Sequence, residues 1–117
     1  MRAVLNEVFT NQINEPELVA SLERLTDLAT SSDTGGAAAA AQLLLALYNG
    51  REYPMDLPEL CRLDEDLFED ALKVIRLRIR NRIEPHEFFV DGGALFAFIT
   101  DKWQIKGKSD QLEEMSV

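Results

Sequence analysis

The chain is poor in the residues that carry chemistry. Its 117 residues include one cysteine, Cys61, one histidine, His86, and one tryptophan, Trp103. A lone cysteine excludes an internal disulfide and fits a reducing, cytoplasmic setting. One histidine with one cysteine falls short of the ligand set of a structural zinc site, so no metal is expected. A Cys–His nucleophile needs both groups side by side with a third to orient them. Cys61 instead falls at an apolar position of a short predicted helix, where a buried structural thiol is expected. Basic residues are also scarce, 12 Lys and Arg against 21 Asp and Glu, which leaves a net charge of −9. Phosphate neutralisation needs a basic footprint, so direct nucleic-acid binding is not expected, whereas association with a basic protein is. The main apolar run, Ala37 to Tyr48, is interrupted by Gln42 and is too short to span a bilayer. The opening MRAVLNEVFTNQ has no apolar h-region, so neither a secretory leader nor a membrane location is expected.

What is present describes an all-α protein. Apolar residues make up 46% and charged residues 28%, ordinary for a soluble domain, and the length suits one core. A short helix over Ala3 to Asn11 is expected, with Val4, Leu5, Val8 and Phe9 on one side. Asn14 is the expected N-cap of a second helix, with Pro16 in its first turn and Glu17 at the third helical position. Leu18, Leu22, Leu25 and Leu28 recur along it at amphipathic spacing as far as Thr30. After the break SSDTGG comes AAAAAQLLLALYNG, apolar nearly all round and therefore central, closed by Asn49-Gly50. Its alanine half permits close helix packing or offers a shallow groove to a partner. Pro54 and Pro58 hold a loop open, a short helix runs to Leu63, and Asp64 caps a longer one. Asp91-Gly92-Gly93 opens a last helix to about Trp103. The expectation is a single compact bundle of about five helices around Ala37–Tyr48, occupying residues 1–105, with a flexible, disordered tail over 106–117.

The run VIRLRIRNRI, Val74 to Ile83, raises the main ambiguity. Alone it alternates apolar and basic residues with the period of a strand. Read with its upstream residues, Phe68, Leu72, Ile75, Ile79 and Ile83 form one apolar stripe of an amphipathic helix. Glu69, Lys73, Arg76 and Arg80 make a second, charged stripe beside it, and no convincing partner strand exists apart from His86 to Val90. A helix is therefore expected, with arginines pointing two ways and no single basic groove. Asp56, Glu59, Asp64, Glu65, Asp66, Glu69 and Asp70 precede it, and five bases from Lys73 to Arg82 end it. Such a split suits oriented docking, and it equally suits a solvated face with internal ion pairs.

The cluster Asp64, Glu65, Asp66, Glu69 and Asp70 lacks the alternating ligands and central glycine of a calcium loop. Gly35-Gly36 and Gly92-Gly93 each precede a helix but follow an aspartate and match no phosphate-binding motif, so no cofactor is expected. Aromatic residues at helix ends and in loops are candidate interface anchors. The candidate protein-binding residues are Asp64, Glu65, Asp66, Glu69, Asp70, Arg76, Arg80, Tyr53 and Trp103.

The order LLLALYNGREYPMDLPELCRLDEDLFEDALKVIRL, followed by DGGALFAFI, resembles a family of small bacterial proteins of unknown function, commonly carried on plasmids and integrative elements. The likeness spans Leu18 to Trp103 and implies a mobile-element accessory protein, with no catalytic or ligand residue to transfer. The expected function is a non-enzymatic acidic protein that binds a basic, nucleic-acid-binding protein. Its sharpest form is an inhibitor acting on a subunit of a host nucleic-acid-guided defence complex. The alternatives are a homodimer built on the alanine helix and a DNA-binding regulator using Arg76 to Arg82.

Overall fold

The computed structural model describes residues 1–115, without the side chain of Met115. Among these residues there are six α-helices: α1 (Glu7–Thr10), α2 (Pro16–Ser31), α3 (Gly35–Tyr48), α4 (Glu65–Asn81), α5 (Gly92–Lys102) and α6 (Lys108–Met115). Tight 3-10 turns at Leu57–Arg62 and Pro85–Phe88 precede α4 and α5. No strand forms among the described residues, and VIRLRIRNRI is helical as far as Asn81.

Local chemistry sets the helix starts. The Thr34 hydroxyl accepts from the Ala37 N–H at 3.1 Å, so α3 begins at Gly35, ahead of the expected Ala37. The Asp64 carboxylate accepts from the Leu67 N–H at 2.8 Å and caps α4, whose first turn adds Glu65 and Asp66 where the helix dipole favours acids. Asn14 does not cap α2. Glu15 occupies that position without a side-chain bond, and Pro16 at the first helical position removes one of the donors a cap would satisfy. Arg82 ends α4 in the left-handed region, φ 56°.

The core is a three-helix layer in which α2 packs on both α3 and α4, with α5 and the Pro85–Phe88 turn closing one side. Ala37, Ala39, Ala40 and Ala41 are completely buried, so the alanine half of α3 serves close packing within the domain. Leu22, Leu25, Leu44, Leu45, Leu77, Phe88 and Phe96 fill the remainder, each contributing about 1.5–3 kcal/mol by leaving water.

Helices α2 and α3 carry no basic residue in their last turn, and side chains from elsewhere bond the carbonyls at their ends. On α2, Lys102 Nζ donates to the Ser32 and Ala29 carbonyls at 2.7 and 3.2 Å, and Trp103 Nε1 donates to Ala29 at 2.8 Å. On α3, Arg78 Nε donates to the Leu47 carbonyl at 2.8 Å. These bonds satisfy helix-end acceptors and complement the dipole.

The N-terminal segment differs from expectation. Helix α1 covers Glu7–Thr10 only, and Leu5 instead bridges Phe89, with Asn6 N–H bonded to Phe88 O and Val90 N–H to Val4 O. That pairing satisfies backbone groups of 88–90 that no helix covers, and it leaves Val4 and Val8 facing water. Phe9 still reaches inward, edge-on to Phe88 at 5.2 Å. Within the segment expected to be flexible, Lys108–Met115 is helical, tethered where the Glu52 carboxylate accepts from the Ser109 N–H and hydroxyl at 2.8 and 2.9 Å. Residues 116–117 of that tail lie outside the described residues.

Candidate functional site

The face of α4 turned toward the core carries Asp70, Ala71, Val74 and Leu77. At about 100° per residue, the stripe Phe68, Leu72, Ile75, Ile79 lies roughly a third of a turn away. Phe68 is 37% exposed, Leu72 43% and Ile79 63%, while Ile75 is half-buried. The apolar face suggested by the sequence is therefore largely the outer one. Ile83, beyond the helix, packs back against the core. A helix that buries Ala71, Val74 and Leu77 inward and also shows Phe68, Leu72 and Ile79 outward is arranged for contact on both sides.

Charge is polarised along the same outer surface. Glu65, Asp66 and Glu69 are exposed toward the N-terminal end, and Arg76 and Arg80 toward the C-terminal end. A shallow concavity beside the acidic end is lined by Arg24, Asp64, Asp66, Glu69, Asp70 and Lys73. Asp64 is exposed, with one carboxylate oxygen engaged as the helix cap.

Asp70 is not on the acidic surface with its neighbours. It is 7% exposed and held by Arg24 at 2.7 and 3.0 Å and by the Ser21 hydroxyl at 2.7 Å, tying α4 to α2. The Arg24 hydrogen bond, helped by Ser21 and opposed by burial, holds its carboxyl below the ordinary carboxylate range. The same bond raises the Arg24 guanidinium further. Position alone explains the misplacement of Asp70, because residues 70, 74 and 77 share one helical face, and a carboxylate there needs a partner that sequence spacing does not reveal.

The arginines point apart. Arg76 lies 3.7 Å from Glu15, Arg78 is engaged with Leu47, and Arg80 and Arg82 face solvent. Trp103 is half-buried, and its N–H is donated to the Ala29 carbonyl, so that edge of the ring ties α5 to the end of α2. Tyr53 is half-buried and stacked on Tyr48, 6.5 Å between ring centres. The two rings border a cleft of about 470 Å³ with Phe96, Ala97, Ile105 and Lys106, a feature no local pattern in the sequence announces. His86 lies behind it, edge-on to Tyr48 at 4.9 Å, with Nδ1 buried, without a hydrogen bond and 3.7 Å from the Glu84 carboxylate. Cys61 is exposed and not buried as expected, because the Leu57–Arg62 turn directs Leu60 inward in its place. Among the described residues no three His, Cys, Asp or Glu side chains gather as metal ligands, and no helix is long and apolar enough to cross a membrane.

On α3, the helix expected to carry a homodimer, Ala37, Ala39, Ala40 and Ala41 are completely buried, and Ala38, Gln42 and Ala46 are half-buried. The chain belongs to a family of unknown function, DUF7673, which matches it over residues 19–104. That span runs from α2 to just past α5 and takes in the whole of α4. No curated protein and no solved structure matches the chain.

Proposed function

We propose that the chain is a non-enzymatic protein-binding protein, whose acidic surface at the start of α4 docks on a basic, nucleic-acid-binding protein. The observation that carries this reading is the exposure of Asp64, Glu65, Asp66 and Glu69 together at one end of one rigid helix, in a molecule of net charge −9. Complementary fields of this kind speed encounter and set orientation. A fixed helix also presents the carboxylates without the ordering cost of a flexible tail.

In its most specific form the protein is a cytoplasmic mobile-element product. It inhibits a host nucleic-acid-guided defence complex by occupying the basic surface on which one subunit holds nucleic acid. The resemblance to plasmid- and element-borne proteins supports the setting, and the acidic surface supports mimicry of a phosphate backbone. The triple variant Glu65→Gln, Asp66→Asn, Glu69→Gln keeps the Asp64 cap and removes three charges. Affinity capture from bacterial lysate should retain a basic protein with the native chain in dilute salt, and lose it both with the variant and at high salt. Retention unaffected by the variant, or no basic protein retained, sinks the reading.

A further inference from the structure

The outer stripe of α4 is not absorbed by the acidic docking surface. Phe68, Leu72, Ile75 and Ile79 follow one another at spacings of four, three and four, the spacing of a coiled-coil seam. Phe68, Leu72 and Ile79 are left exposed although α4 already buries a separate face against α2 and α3. On either end of the stripe the charge is opposite, Glu65 and Glu69 at the start and Arg76 and Arg80 at the finish.

We propose that this stripe is a self-association face, on which a second copy of the chain seats its own α4 antiparallel across a two-fold axis. A two-fold interface requires a surface complementary to itself, with each contact made twice. An apolar stripe on a helix acidic at one end and basic at the other meets that requirement in the antiparallel orientation and fails it in the parallel one, where like charges meet. With the axis between Leu72 and Ile75, Phe68 of one copy lies against Ile79 of the other, and Leu72 against Ile75. Glu69 and Arg76 share the same flank of the stripe, and in an antiparallel pair that flank faces its own copy, so Glu69 meets Arg76 of the second copy twice over. Glu65 is then directed toward Arg80. The 3.7 Å Arg76–Glu15 pair is a loose surface contact and leaves the Arg76 side chain 58% exposed for this role. The overall charge of −9 opposes association, so a local apolar seam with alternating ends is the arrangement that brings two such copies together.

Sedimentation velocity over a concentration series from micromolar to millimolar tests this on the full chain. The native protein should show reversible dimerisation. Leu72→Glu and Ile79→Glu should abolish it with helical circular dichroism unchanged, because both side chains face solvent in the single copy. Glu69→Arg should weaken the dimer roughly tenfold by turning two attractions into repulsions, and the double variant E69R/R76E should restore it. A native chain that stays monomeric to millimolar concentration, or a dimer indifferent to L72E and I79E, overturns the interface. A dimer that E69R/R76E fails to restore overturns the antiparallel arrangement. Glu65 and Glu69 belong to both surfaces, so capture of a basic partner is measured separately on Ile79→Glu, which leaves Asp64, Glu65, Asp66 and Glu69 in place.

Discussion

Asp70 and Arg24 hold each other in unequal surroundings. The carboxylate is buried, while the guanidinium side chain is 55% exposed, so the two deletions are not equivalent. Arg24→Ala strands a buried carboxylate with Ser21 as its remaining partner and should cost about 3 kcal/mol in urea denaturation. Asp70→Asn keeps the shape and lets Arg24 turn to water, so about 1–2 kcal/mol is expected. Equal costs would mean that Arg24 stabilises through packing alone. The same pair sets the acid limit. The folded carboxyl titrates below its unfolded value, so its contribution is complete above the ordinary carboxylate range of about pH 4 and is lost as pH falls through the lowered value. Denaturation midpoints from pH 7 to pH 2 should therefore fall less steeply for Asp70→Asn than for the native chain. Arg24 stays charged throughout and adds nothing to that slope.

At the scale of elements, helix identity was legible because leucine spacing, the Asp64 cap and the Gly-rich breaks are local signals. Which face of α4 turns inward was not. Two apolar stripes compete on that helix, one of Phe68, Leu72 and Ile79 and one of Ala71, Val74 and Leu77. The inner stripe pairs the small Ala71 and Val74, which let α2 and α3 approach closely, with Leu77 in the core. The acidic half of the candidate surface could be read from composition, but the removal of Asp70 from it depends on Ser21 and Arg24, distant in sequence. The Asp91-Gly92-Gly93 start of α5 is similarly divided. A Cβ on Gly92 would overlap the His86 carbonyl, whereas one on Gly93 would meet nothing within 4 Å. Gly92→Ala should lower stability by about 2 kcal/mol or more by forcing the Pro85–Phe88 turn off α5. Gly93→Ala should be neutral or stabilise by up to about 1 kcal/mol through helix propensity. Thermal melts of the two variants check the pair.

Across the whole molecule, scarce cations are placed where helices end. Lys102 and Arg78 bond the ends of α2 and α3, and Arg24 holds Asp70, so several bases that composition suggests for a surface role are structural. The remaining outward charge is thus more acidic than the sequence order conveys. Helix α6 stands apart from this framework, its described side chains exposed and its start tied to Glu52. Glu52→Ala should raise hydrogen exchange over residues 108–115 while the melting temperature of the bundle stays within about a degree; a large fall would place α6 within the cooperative core. Trp103, which fastens α5 to the end of α2, is the chain's sole tryptophan. Residues 29 and 103 meet across most of the sequence, so their contact closes a long loop and forms after the local helices. Indole emission is therefore a built-in optical reporter of chain closure. A red shift signals the parting of α5 from α2, a step that helical ellipticity alone cannot resolve.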